Sequence, residues 1–379
     1  MYRVSQKIFI ACLIFVCYAN ACAPTPILPI PEETDDGWRT TSLERVGIRA
    51  GDIREAISRV EDGTYQNIHS IVIVKDDRLV FEEYFQGYTW RYGADQYKGD
   101  LTDYDRDTIH NLASVTKSFT SALVGIAIDQ GFIHGVEDAL FDYFPEYEEL
   151  LDDEKDAITL EHLLTMTSGF EWNEMDVPYS NSTNDLVRLF NELDPVAYIL
   201  EGPLVARPGT EWCYSGGNTN LLGEVIRAAT GMRMDHFAEE NLFDPLGITN
   251  FQWDYITPSI VHASGNLQLR PRDLAKFGYL YLNGGEWNGE RIISEEWVRE
   301  STLERESLST TVGYGYQWWL STYRVGSKTL EAFHASGWGG QEIVVFPSLE
   351  MVVVFTGGNY VGAEPSGEIL TQHILTAVE

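Results

Sequence analysis

A serine and a lysine three residues apart, Ser114-Val-Thr-Lys117, carry the clearest chemical signal in the chain. At the start of a helix that spacing puts both side chains on one face, about 5–6 Å apart at Cβ. A neutral lysine amine at that distance can take the serine proton, which requires burial to lower its pKa. The helix N-terminus adds partial positive charge and free backbone N–H groups. Those features suit a hydroxyl that attacks a carbonyl and an oxyanion that must be held. Taken alone, Ser-x-x-Lys is common, and an N-cap serine with an exposed lysine has the same spelling.

Two further segments accompany it. Tyr214-Ser215-Gly216 lies just before a helical stretch, and His334-Ala-Ser-Gly-Trp-Gly-Gly-Gln341 lies in the C-terminal strand region. In this order the three resemble the β-lactamase and penicillin-binding-protein superfamily, with its Ser-x-x-Lys, Tyr-x-Asn or Ser-x-Asn, and Lys-Thr-Gly motifs. The likeness is closer to the class C-related branch that includes family VIII esterases and 6-aminohexanoate-dimer hydrolases. Ser114 to Asp129, Leu163-Leu-Thr-Met-Thr-Ser-Gly169, Tyr314-Gly-Tyr-Gln-Trp-Trp319 and Gly337-Trp-Gly-Gly-Gln341 carry it, and it spans most of residues 50 to 379.

The resemblance implies a mixed α/β (α+β) serine β-lactamase-like fold, an antiparallel sheet flanked by terminal helices with an inserted helical lobe. It implies Ser114 as the acylated nucleophile, Lys117 as general base and Tyr214 as the phenol passing a proton toward the leaving group. The backbone N–H groups of Ser114 and Trp338 would form the oxyanion hole. Ser336, Gly337, His334, Asn218 and Trp172 are the candidates for substrate contacts, and neither a cofactor nor a metal is implied.

Two departures bear on the substrate. Gly216 stands where Tyr-x-Asn has its amide, with Asn218 two residues on. Ala335 stands where Lys-Thr-Gly has its lysine, leaving only Ser336 and Gly337. In the family that lysine helps to bind a substrate carboxylate, which alanine cannot do. His334 is adjacent, but neighbouring strand side chains point to opposite faces. The expected activity is therefore hydrolysis of a small ester or amide, with β-lactam turnover weak or absent. A β-lactamase or D,D-carboxypeptidase acting on cell-wall peptides is the alternative enzyme, and a non-catalytic binding protein that keeps the fold is the alternative of another class.

Other chemistries lack their signatures: there is no Gly-x-Ser-x-Gly elbow, no Cys-x-x-Cys, no His-x-x-x-His and no phosphate-binding glycine loop. The elements that must hold the motifs are legible from periodicity and breakers. Ser70 to Tyr84 reads as a hairpin turning at Asp76-Asp77, preceded by a helix from Asp52 to Val60. Ser114 to Asp129 reads as a helix closed by Gly131, Thr159-Leu-Glu-His162 opens another, and Gly216 to Thr230 makes a third ended by Gly231. Val312 to Leu320, Thr329 to Ser336, Gln341 to Phe346 and Met351 to Thr356 read as strands, followed by a helix from Ser366 to Val378. The α/β part is expected over about 41–110 and 255–379, and the helical lobe over about 111–254.

The chain of 379 residues carries 58 acidic and 26 basic side chains, a formal −32. That surface repels nucleic acid and anionic membranes, and it reads as solubility rather than as a sign of a cationic substrate. Arg3, Lys7, the apolar run Ile8 to Tyr18 and Ala19-Asn20-Ala21 read as an export signal over 1–21. Cys22 follows directly, so the segment also resembles a lipoprotein cleavage site that would anchor the chain to a membrane through Cys22 alone. Residues 22–40, rich in proline and acid, read as a linker or disordered lead-in.

Overall fold

The computed structural model describes residues 28–379; the export segment, Cys22 and the first part of the lead-in lie outside the described residues. The N-terminal hairpin consists of β1 (Ile68–Lys75) and β2 (Arg78–Tyr84). Both turn residues have positive φ, 51° at Asp76 and 60° at Asp77. Positive φ at both positions defines the turn whose twist matches right-twisted strands, and aspartate tolerates it. A C-terminal meander supplies β3 (Glu306–Ser307), β4 (Val312–Tyr314), β5 (Trp319–Val325), β6 (Lys328–Gly337), β7 (Gln341–Phe346) and β8 (Met351–Gly357). The antiparallel order is β3-β4-β5-β6-β7-β8-β1-β2. Strands from the two ends of the chain thus close one sheet, with Ile71 opposite Phe355 and Ile73 opposite Val353.

The strand expected over Val312 to Leu320 is broken in two. Gln317 has φ 62°. Its side-chain amide donates to the carbonyls of Leu163 and Leu164 at 3.0 Å each and accepts from Thr219 Oγ1 at 2.9 Å. Those buried bonds to the helical lobe require the chain to leave the sheet at that point.

Alternation on β1 splits the core. Ile71 and Ile73 face α1 (Ala50–Glu61) and the C-terminal helical stretch Ser366–Ala377, while Val72 and Val74 face the lobe. α1 starts at Ala50 with Arg49 at the cap position, so Asp52, expected as the cap, lies in the first turn instead and pairs with Arg49 at 2.6 Å. On the lobe face lie α2 (Thr116–Asp129), α3 (Leu160–Leu164), α4 (Gly216–Thr230) and α5 (Pro271–Leu282). α2 is buried from Thr116 to Ala127, so it presents no face to solvent and acts as the central post. Phe119 on α2 stacks on Phe277 of α5 at 3.7 Å between centroids; truncating it to alanine would cost about 3–5 kcal/mol.

The described part of the lead-in is docked rather than free, contrary to the reading of residues 22–40 as disordered. Trp38 is buried, and the buried Arg272 guanidinium binds Asp36 at 2.8 Å, Thr34 at 3.0 Å and the Glu32 carbonyl at 2.9 Å. Its acidic residues look solvated in sequence; a basic partner 236 positions away holds one of them.

Candidate active site

Ser114 sits in a tight turn, Ala113–Val115, that feeds into α2. Ala113 has φ 44° without being glycine, a conformation that costs about 1–3 kcal/mol unless its surroundings fix it. Two side chains do so: Asn111 Oδ1 accepts the Ala113 N–H at 2.8 Å, and Thr116 Oγ1 donates to the Ala113 carbonyl at 2.6 Å. The first turn of α2 then brings Lys117 beneath Ser114. The lysine is 2% exposed, and its Nζ donates to Ser114 Oγ at 3.1 Å and to the Ser264 carbonyl at 2.8 Å. Tyr214, just before the N-cap Ser215 of α4, lays its ring 4.8 Å from that Nζ. The three residues singled out for chemistry meet at one point.

Around them lie groups that sequence reasoning missed. Ser264 Oγ accepts from Asn220 Nδ2 at 3.1 Å and lies 3.0 Å from His262 Nε2. Burial, with Lys117 adding to it, depresses His262 to about 3, so the imidazole is neutral. One signal existed: His-Ala-Ser-Gly occurs twice, at 262–265 and at 334–337. The motif resemblance rests on the second copy, whereas His262 and Ser264 of the first line the cleft.

The second copy divides between the two faces of β6. A side chain on Gly337 would meet the Leu112 carbonyl at 2.3 Å and the amide nitrogens of Ser114 and Val115 at 3.1 Å. Only glycine permits this approach, and it sets the next residue, Trp338, at the cleft wall. Ala335 shares the Gly337 face and is buried in the same core that holds Val115 and Phe119. His334 and Ser336 take the other face, contrary to their expected role in substrate contact. Glu342 holds both, through His334 Nδ1 at 3.3 Å and Ser336 Oγ at 2.8 Å, and Ser321 Oγ lies 3.0 Å from His334 Nε2.

Asn218 and Trp172 also fall outside the cleft lining. Asn218 is 1% exposed and accepts from Ser168 Oγ at 2.8 Å. Trp172 backs Gly217, whose missing side chain would sit 2.8 Å from the indole. The space beside Gly216 is filled instead by Glu174. Its Oε2 would lie 2.8 Å from a Gly216 Cβ, and it accepts the Gly216 N–H at 2.7 Å and Trp172 Nε1 at 2.8 Å. Its Oε1 accepts from Tyr179 at 3.0 Å. A buried carboxylate from a distant loop therefore stands where the motif's own asparagine would project.

Ser114 opens into a cleft of about 780 Å³. Its walls are aromatic: Trp90 and Tyr92 from the 86–103 hairpin, Tyr179, Phe190, Trp253, Tyr255, Trp338 and Tyr360. Among the described residues that line it there is no lysine or arginine, and Asp254 is its one charged side chain. No group of three or more His, Cys, Asp or Glu suited to a metal ion occurs among the described residues.

The family model described as Beta-lactamase matches residues 69–364. The chain belongs to the beta-lactamase family. It is 27% identical over 280 residues to the 6-aminohexanoate-dimer hydrolase of Paenarthrobacter ureafaciens, covering 69% of this chain and 68% of that one. A family VIII carboxylesterase superposes with a TM-score of 0.65 at 20% identity, over 86% of this chain and 97% of the other. A penicillin-binding protein homologue from Caulobacter crescentus gives 0.64 at 18% identity, over 92% and 98%. These likenesses establish a beta-lactamase-fold member of the serine hydrolases with the expected α/β architecture.

Proposed function

We propose that this protein hydrolyses small esters or amides through an acyl-enzyme on Ser114. The observation that carries the reading is the buried Lys117 amine on Ser114 Oγ at 3.1 Å, with the Tyr214 ring 4.8 Å from the same nitrogen. Lys117 takes the hydroxyl proton as Ser114 Oγ bonds the carbonyl carbon. The Ser114 and Trp338 N–H groups receive the oxyanion; the approach of Gly337 to Ser114 supports this pairing. The intermediate collapses, the carbon–oxygen or carbon–nitrogen bond breaks, and the leaving group takes a proton through Tyr214. Water then attacks the acyl-enzyme and releases the acid. The N-terminal segment supports an exported enzyme, with attachment through Cys22 as one form of it.

The aromatic, cation-free lining supports an ester or amide without a carboxylate over a cell-wall peptide or penicillin. The test is hydrolysis of p-nitrophenyl acetate by wild type and Ser114→Ala, with folding checked by circular dichroism. Activity abolished in the variant supports the nucleophile; equal activity in both sinks it. Lys117→Met should lower kcat by about 10²–10⁴-fold, the usual worth of a positioned base. Absence of turnover in wild type, with no acyl-enzyme mass on Ser114, would favour the binding-protein reading. Efficient cephalosporin hydrolysis would overturn the substrate assignment.

A further inference from the structure

The overall acidity of the chain says nothing specific about a ligand, but the distribution of charge inside the cleft does. Asp254 lies on its wall, partial burial raises its carboxyl pKa, and the one side chain bonded to it is the neutral Asn266, at 3.1 Å. The nearby Arg233 does not neutralise it. Its Nε and one terminal nitrogen are held by Asp235, at 2.6 and 2.8 Å, and that terminal nitrogen also donates to the Tyr255 hydroxyl at 3.0 Å. The Lys117 side chain is buried, and its Nζ already holds two oxygens.

Two aromatic side chains of the same cleft stand open to solvent, Tyr92 at 57% and Phe190 at 39% exposed; the Tyr255 ring already carries the Arg233 guanidinium, 4.9 Å from its centroid. Exposed rings collected in one concavity mark a contact surface. Ring faces attract cations through their quadrupole, and a carboxylate beside them adds a point charge of the right sign. A cleft whose fixed charge has one sign also concentrates ions of the opposite sign at its mouth.

We propose that this cleft is selective for positively charged substrates, esters or amides bearing a quaternary or protonated amine, and that Asp254 with its open aromatic neighbours is the cation-binding subsite. Turnover of such substrates rests on Ser114 being the nucleophile; binding of the cation does not.

The experiment has two arms on the full chain. In the first, affinities of benzyltrimethylammonium, benzyl alcohol and benzoate are measured by titration calorimetry for wild type, Asp254→Asn and Asp254→Glu. The expected order is cation, then alcohol, then benzoate, with the cation favoured about tenfold, an advantage lost in Asp254→Asn and kept in Asp254→Glu. Equal affinities, or a cation advantage that survives in Asp254→Asn, would overturn the subsite. In the second arm, kcat/KM for acetylcholine is compared with that for its neutral isostere 3,3-dimethylbutyl acetate. The ratio should exceed one in wild type and fall about tenfold in Asp254→Asn. If neither ester is cleaved, the hydrolase reading is at fault and the calorimetric order alone decides the subsite. If both are cleaved at a ratio of one, the hydrolase stands and the subsite falls.

Discussion

Glu174 shows how a missing motif residue can be replaced by chemistry from elsewhere in the chain. A carboxylate has room for several donors, and here it receives the Gly216 N–H, the Trp172 indole and the Tyr179 hydroxyl. Burial and the Glu174 charge push the Tyr179 phenol well above its usual range, which keeps it a donor to that carboxylate. Glu174→Gln keeps the shape but exchanges one acceptor oxygen for an amide that faces donors. At least one buried donor then goes unpaired, at about 1–3 kcal/mol, read as a lower denaturant midpoint with kcat reduced more than KM is raised. Gly216→Ala should do similar damage by steric means, since its Cβ would meet Glu174 Oε2 at 2.8 Å, Leu186 at 3.0 Å and Ser264 Oγ at 3.1 Å. An intact midpoint in both variants would mean that the carboxylate is dispensable. That Ser114, Lys117 and Tyr214 lie together could be read from the sequence because short motifs mark them. Glu174, Asn220 and Ser264 could not, because their roles depend on which distant loops the fold brings alongside.

The elements behave differently, because local pattern specifies most of them and tertiary bonding overrides it at identifiable points. α4 spans Gly216 to Thr230 as its N-cap serine and terminal Gly231, at φ 72°, indicate. β7 likewise matches its β-branched and aromatic run from Gln341 to Phe346. The break at Gln317 was invisible, since its partners lie at 163, 164 and 219. The face assignment on β6 was half legible: alternation separates His334 from Ala335, but only the fold shows which face meets Ser114. That contact yields a prediction belonging to the strand as a unit. Gly337→Ala must move the end of β6 away from a carbonyl 2.3 Å from the new methyl. A shift of about 1 Å at an oxyanion donor can cost about 10²-fold. kcat should fall by that order while the secondary structure, followed by circular dichroism, is unchanged; wild-type kcat in Gly337→Ala would remove the strand end from the mechanism.

At the scale of the whole molecule, two electrostatic terms of opposite sign act on stability as pH falls. His69, His110 and His262 are buried and neutral, depressed by desolvation to about 2, about 4 and about 3. The His110 Nδ1–H is spent on the Asn111 carbonyl, so His110 Nε2 accepts from His69 Nδ1 at 2.8 Å and a further proton has no acceptor among the described residues. An unfolded histidine titrates near 6.5. Below that value the unfolded chain therefore binds more protons than the folded one, and stability present above it is lost as pH falls. The slope is about 1.4 kcal/mol per pH unit for each of the three. Against this, the formal −32 destabilises the compact state by self-repulsion, which eases as carboxylates begin to protonate toward the pI of about 4.5. Salt separates the two, because it screens surface repulsion but does not reach a buried imidazole. Adding 1 M salt, which shortens the screening length to about 3 Å, should raise the denaturant midpoint at pH 7 and make its fall from pH 7 to pH 5 steeper. His262→Asn should flatten that fall by about a third, one proton site of three. A midpoint independent of pH over this range in high salt would show that the buried histidines do not govern the acid limit, and that the carboxylates do.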